Sequence, residues 1–163
     1  MSYSDQLLAR AVHEVSPTGA PEIPAAPALR TAIITCMDSR IDPARIFGLR
    51  PGEVHVIRNA GGVVTEDAIR SVVISQRLLG TQEVMVITHT DCGMTRVDAT
   101  QLLTSLESET GLRPSWAPEG FIDPAAEALQ GLRRLRTNPF LIHKDRLRAF
   151  VFDVRTTQLA EVS

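Results

Sequence analysis

The stretch Thr31–Phe47, TAIITCMDSRIDPARIF, decides how this chain is read. Its first five residues, TAIIT, are a short β-branched run suited to a strand buried in a parallel sheet. Directly after it come Cys36, Asp38 and Arg40, placed within five positions. Asp42 then offers an N-cap and Pro43 a first helical residue, so DPARIF opens a helix. Ligands in open α/β sheets gather at the carboxyl ends of the strands. A strand that ends in a cysteine, a carboxylate and a guanidinium is therefore delivering chemistry to that edge.

The alternation of strand and helix continues outward from there. EVHVI (53–57) reads as a second strand, followed by the loop RNAGGVV. TEDAIRSVVISQRLLG (65–80) is the clearest helix: Thr65 caps it, Glu66 and Asp67 fill its first turn, and Gly80 ends it. EVMVITHT (83–90) is a third buried strand, residues 99–109 and 123–136 read as helices, and LRAFVFDV (147–154) is a fourth strand. TQLAEV (157–162) is a possible fifth strand, turning back as a hairpin through Arg155 and Thr156. This order predicts an α/β fold with a mainly parallel four- to five-stranded sheet flanked by helices.

Residues 4–15 read as a helix with Ser4 as N-cap and Leu7, Leu8, Ala11, Val12 and Val15 as its apolar stripe. Residues 16–29, SPTGAPEIPAAPAL, hold four prolines and read as an extended connector. The helix is thus expected to pack away from its own core, on a second subunit. At 163 residues the chain fits a single domain, with residues 1–29 as helix and connector and residues 30–163 as the α/β core.

A formal charge of −2 argues against nucleic acid as the main partner. Arg133, Arg134 and Arg136 are read as a solvated helix face. No stretch approaches 18 consecutive apolar residues, so no membrane span is expected. The N-terminal segment lacks a basic start, an apolar run and a cleavage site, and the protein is expected in the cytoplasm.

The third strand ends in HTDCGM, which brings His89 and Cys92 to the same edge as Cys36. Two cysteines and a histidine with an open fourth position form one of the catalytic zinc arrangements. A redox pair would more typically show CxxC, which this sequence lacks. A closed structural zinc site needs a fourth protein ligand, and the candidate nearby is Asp38, a residue type uncommon in such sites.

Cys36-x-Asp38-Ser39-Arg40, RNAGG and His89-x-x-Cys92-Gly93 together resemble the β-class carbonic anhydrases. The resemblance runs from about residue 30 to 95, then more loosely to the last strands. It implies one Zn2+ per chain on Cys36, His89 and Cys92, with Asp38 paired to Arg40 beside the metal. Zinc lowers the pKa of its bound water to roughly 7, and Asp38 would orient the resulting hydroxide toward carbon dioxide. If the Asp38–Arg40 pair opens, Asp38 can become the fourth ligand of a closed state, which part of the family favours at lower pH. The working unit implied is a homodimer, or a dimer-based oligomer, with an exchanged N-terminal helix. Carbonyl sulfide or carbon disulfide hydrolysis on the same zinc site is the alternative activity, and a noncatalytic zinc- or bicarbonate-sensing domain a more distant one.

Around these residues, Ile41 is assigned to an apolar pocket wall, and Gly61 and Gly62 to a wall built by close backbone approach. Gly93 either offers its amide to a bicarbonate oxygen or permits a turn. Thr90 and Asp91 either orient His89 or are solvated. Arg58 matches the arginine of a noncatalytic bicarbonate site found in part of the family, whose tryptophan is here Ile33. His55 is read as structural, and Trp116 as a core or interface anchor.

Overall fold

β1 (Thr31–Cys36) is buried from Ala32 onward and lies inside a five-stranded sheet of order β2-β1-β3-β4-β5. The computed structural model describes residues 2–11 and 22–163, with Arg10 and Ala11 described by backbone alone. β2 (Val54–Asn59), β3 (Glu83–His89) and β4 (Leu147–Phe152) run parallel to β1, whereas β5 (Leu159–Val162) is antiparallel to β4. The chain leaves β1 for β2 on one side and then crosses to β3 on the other. The reversal of strand order therefore falls between β1 and β3, where such sheets open a crevice.

The helices divide between the two faces because successive strand residues point in opposite directions. Ile34, Val84, Val86 and Ala149 face α3 (Glu66–Leu79) and α5 (Pro124–Thr137), which contribute Val72, Leu132 and Leu135. Ile33, Ile87, Phe150 and Phe152 face the other way, toward Ile41 and α2 (Pro43–Phe47). α2 is short because Gly48, at φ 63°, ends it after five residues. Asp42 accepts from the amides of Ala44 and Arg45, and Thr65 from that of Ala68, as the capping pattern predicts.

Several boundaries differ from the sequence reading. β2 extends to Asn59, while β3 and β4 end sooner, at His89 and Phe152. α1 (Tyr3–Ala11) is capped by Ser2, not Ser4: Ser2 Oγ accepts from the Asp5 amide at 3.1 Å, and Asp5 accepts from the Ser2 amide. Val12 and Val15, and connector residues 16–21, lie outside the described residues. α4 (Ala99–Thr110) buries none of its residues. Trp116 is 58% exposed and is not a core anchor.

His55 is structural, as read. Its Nε2 donates to the Ala25 carbonyl at 2.9 Å, and its Nδ1 accepts from Ser75 Oγ at 2.8 Å. With the Ala28 and Leu29 amides bonded to Gly52 and Glu53, this pins the end of the connector to the β2 side of the sheet.

One buried group opposes folding. Glu127 of α5 is 8% exposed, and its Oε1 has no hydrogen-bond partner among the described residues. Burial raises its pKa; Arg134 and Arg133 pull it back only in part, while Glu119 adds to the rise. A carboxyl with a raised folded-state pKa costs nothing below its unfolded value, about 4.3, and costs increasingly as pH climbs through the folded value. Glu127→Gln should therefore raise stability near pH 7.5 by about 1 kcal/mol. Denaturant titrations should show that gain shrinking to nothing near pH 4; equal gains at both pH values would refute it.

Candidate metal centre

Two neighbouring strands part at their carboxyl ends. The β1–β3 ladder closes at Thr35 and Ile87, where Thr35 Oγ1 donates to the Ile87 carbonyl at 2.9 Å. Beyond that point Cys36 pairs with Asn59 of β2, and His89 with Phe152 of β4. The turn Ala60–Gly62 drops against the parted ends. Gly62 has φ 68°, and a Cβ there would lie 2.8 Å from the Cys36 nitrogen and 3.0 Å from the Ile87 oxygen, so only glycine fits. Gly61, at φ 82°, lies beneath Phe121 and Met94, where a Cβ would come within 2.8 Å of the Phe121 ring. Close backbone approach at this pair was the expectation, and its partner is the strand edge itself.

The parting leaves room for three side chains. Cys36 Sγ and Cys92 Sγ are 3.9 Å apart, and one ligand atom from each of Cys36, His89 and Cys92 lies within 4.8 Å of the others. All three residues are buried. His89 Nδ1 donates to the Thr90 carbonyl at 2.9 Å, which fixes the tautomer and leaves Nε2 as an acceptor. That Nε2 is buried without a hydrogen-bond partner among the described residues. An unpaired imidazole nitrogen facing two thiols is the donor set that zinc takes in tetrahedral sites with one position open.

The protonation equilibria suit such a set. Burial pushes the Cys36 thiol up, but the facing His89 ring and the amides of Asp38 and Gly61 outweigh it and bring it down to about 7. Burial opposes a charge on His89, yet contact with Cys36 raises its pKa overall. Cys92 goes the other way: burial and the neighbouring Cys36 push it up to about 11.

Asp38 stands over this set, its Oδ2 3.9 Å from His89 Nε2. Arg40 grips it with Nε on Oδ1 at 3.0 Å and Nη2 on Oδ2 at 2.8 Å, and the Arg40 amide adds a third bond at 2.9 Å. The guanidinium holds this carboxyl well below the usual carboxylate range. Arg40 also reaches Asp91, whose other oxygen takes Arg96. Arg58 donates to the carbonyls of Cys36 and Asp38 at 3.0 and 2.8 Å, tying down the backbone of the same loop.

The remaining assignments divide. Ile41 is 2% exposed and packs with Ile33, Ile87 and Phe150, so it fills the core and presents no wall to a pocket. Gly93 has no positive φ, and a Cβ there would meet nothing within 4 Å, so the turn does not require glycine. Thr90 orients His89 through its carbonyl, whereas Asp91 turns to Arg40 and Arg96. The sequence reading missed Arg96 and gave Arg58 no part in this loop. The sequence signal for Arg58 was its place at the head of the RNAGG motif, next to Asn59, which the structure pairs with Cys36.

The family model described as Carbonic anhydrase matches residues 31–144. Beta-carbonic anhydrase 1 of Mycobacterium tuberculosis is 47% identical over 163 residues, covering 100% of this chain and 99% of its own. Carbon disulfide hydrolase of an Acidianus species is 33% identical over 155 residues, covering 80% of this chain and 76% of its own. The crystal structure of carbonic anhydrase from Streptococcus mutans superposes with a TM-score of 0.91 at 34% identity, covering 100% of this chain and 99% of that one.

A zinc titration checks the donor set directly. The purified chain should bind one ion, and His89→Ala should weaken binding by at least about tenfold, since losing even an outer partner of a ligand costs roughly 10–100-fold. Cobalt substitution should give a thiolate charge-transfer band that Cys36→Ser and Cys92→Ser each diminish. Full affinity in all three variants would exclude this site.

Proposed function

The chain belongs to the β-class carbonic anhydrase family, and we propose that it is a zinc enzyme catalysing the reversible hydration of carbon dioxide to bicarbonate and a proton. The observation that carries the reading is the juxtaposition of a buried Cys36–His89–Cys92 set with a carboxylate clamped above it. Zinc held there would supply Lewis acidity and bring the pKa of a water it binds down toward 7. Cys36, His89 and Cys92 would hold it and leave a fourth position facing Asp38.

The chain's own residues do the rest. Asp38 stays ionised because Arg40 occupies both its oxygens, so it is a poor proton acceptor near neutral pH and a good hydrogen-bond acceptor. Its role is to take a hydrogen bond from the attacking oxygen and aim that oxygen's lone pair at the substrate carbon. Arg40, always cationic, offsets part of the negative charge that two thiolates bring. The Gly93 amide is assigned to a bicarbonate oxygen, since the chain leaves the space at its Cα open.

Carbonyl sulfide and carbon disulfide present the same linear, electrophilic carbon. A relative named carbon disulfide hydrolase covers 80% of this chain, which keeps that activity as the second reading. A noncatalytic site closed by Asp38 is disfavoured by the bidentate Arg40 contact, which holds the carboxylate on the guanidinium. The proposed working unit is a homodimer in which α1 of one copy covers the other. Its support is the exposure of Tyr3, Leu7 and Leu8 at 87%, 63% and 66%.

Stopped-flow hydration of carbon dioxide by zinc-loaded protein, at about pH 8.5 and about pH 7, tests the activity, with carbonyl sulfide and carbon disulfide run alongside. Fast hydration is the expected result, and Asp38→Asn should lower kcat/KM by roughly 10²-fold. A steep loss at the lower pH would add the closed state. Slow hydration beside brisk hydrogen sulfide release would transfer the chain to the hydrolases, and no turnover of any substrate would sink the enzymatic reading. Light scattering should give twice the chain mass, falling to one chain when Leu7 and Leu8 are both changed to Ser.

A further inference from the structure

We propose that Asp91 is a positioning residue, a strut that holds Arg40 and through it fixes where the Asp38 carboxylate points; the proposal rests on the carbonic anhydrase reading and deepens it. Arg40 divides its guanidinium between two carboxylates. Nε and Nη2 face Asp38, while Nη1 donates to Asp91 Oδ2 at 2.9 Å and Nη2 also donates to the Asp91 carbonyl at 2.9 Å. Four donations from three nitrogens fix the plane of the group from both sides.

The Asp38–Arg40 pair alone would not define that direction. Its members are two residues apart in one loop, and the Arg40 side chain is 45% exposed. A pair of that kind can turn as a unit, and ordering a long arginine side chain opposes holding it in any one place. Asp91 belongs to a different segment, between His89 and Cys92 after β3. By gripping Arg40 it ties the loop after β1 to the turn between His89, the end of β3, and Cys92, so Asp38 is referenced to the site it serves.

Two further observations fit a side chain retained for use. Asp91 has φ 52°, a left-handed conformation that glycine adopts at no cost and aspartate only tolerates. Glycine would therefore suit the turn better, yet the side chain is present and both its oxygens are engaged. Arg96 holds the second oxygen, which draws charge from Asp91. Asp91 can then brace Arg40 without pulling it off Asp38. With Asp91 49% and Arg96 74% exposed, solvent screens these pairs, so the effect is graded.

The test is Asp91→Gly on the full, zinc-loaded chain, with Asp91→Asn as an intermediate. Glycine favours the left-handed turn, so zinc content and melting temperature should hold or rise slightly. The Arg40 Nε–H resonance, assigned by its disappearance in Arg40→Lys, should exchange with solvent at least about threefold faster in Asp91→Gly. The kcat/KM for carbon dioxide should fall roughly five- to tenfold, with Asp91→Asn between it and the parent. Unchanged Arg40 exchange in Asp91→Gly overturns the proposal, and so does a rate that falls only in step with lost zinc or lost stability. If the parent itself hydrates no carbon dioxide, the activity reading fails while the exchange measurement still decides the strut.

Discussion

Everything at this site follows from β1 and β3 ceasing to be neighbours after Thr35 and Ile87. A parallel ladder that continued would bring the next residues into register and fill the space between them. Instead Cys36 goes with β2, His89 goes with β4, and the chain folds Gly62 against their backbones. Such an approach tolerates no Cβ, so the pocket's floor depends on one glycine at φ 68°. The switch in strand order creates the gap, and close packing keeps it at the size of three ligand side chains.

Once the gap exists, its electrostatics are set by where the charges stop being buried. The three ligands are nearly inaccessible, whereas Asp38 is 18% exposed and Arg40 45%. Burial alone would keep both thiols neutral. The groups around Cys36 tip it toward the thiolate, and Cys92 is pushed the opposite way by its burial first and then by repulsion from the adjacent Cys36. A divalent cation removes that conflict, which is a physical reason for the set to want metal. Asp38 lies at the boundary, near enough to face the ligands and wet enough to stay ionised. Arg58 fixes the backbone of its loop and Arg40 its carboxylate, so two arginines share a task that one flexible side chain could not perform.

The centre was legible because its logic is topological. A β-branched run ending in Cys36 and another ending at His89 had to place those residues on one edge of a parallel sheet, and the capping signals at Asp42, Thr65 and Gly80 fixed the helices between. Ile41 was misplaced because hydrophobicity reports that a side chain wants burial, not which of two apolar environments receives it. At Gly93 the sequence left two readings open because a turn and an open approach look alike there, and the structure removes only the need for glycine in the turn. The partners of Asp91, already a candidate beside His89, and the part played by Arg96 were beyond reach for another reason. Their meaning depends on Arg40, 51 positions from Asp91, and long side chains that meet across loops leave no periodicity. Ser4 lost the cap to Ser2 because both stand before an acceptable first turn, and only Ser2 has Asp5 three residues on to answer it.

The N-terminal segment obeys a separate constraint. A helix of nine residues is too short to hold itself in water, since nucleation is unfavourable and few bonds repay it. The apolar side chains that would stabilise α1 by burial, Tyr3, Leu7 and Leu8, have no cover from the described residues of their own chain. The last stretch of the connector, by contrast, is fixed: His55 holds the Ala25 carbonyl, and Ala28 and Leu29 follow the backbone of Gly52 and Glu53. Its far end is thus anchored while the helix beyond lacks a partner, and a second copy is the cover proposed for it. In that arrangement the helix gains its stability only when the apolar stripe is buried, at roughly 1.5–3 kcal/mol for each large side chain covered. Folding of α1 and pairing of two chains then become one equilibrium, and weakening either weakens both.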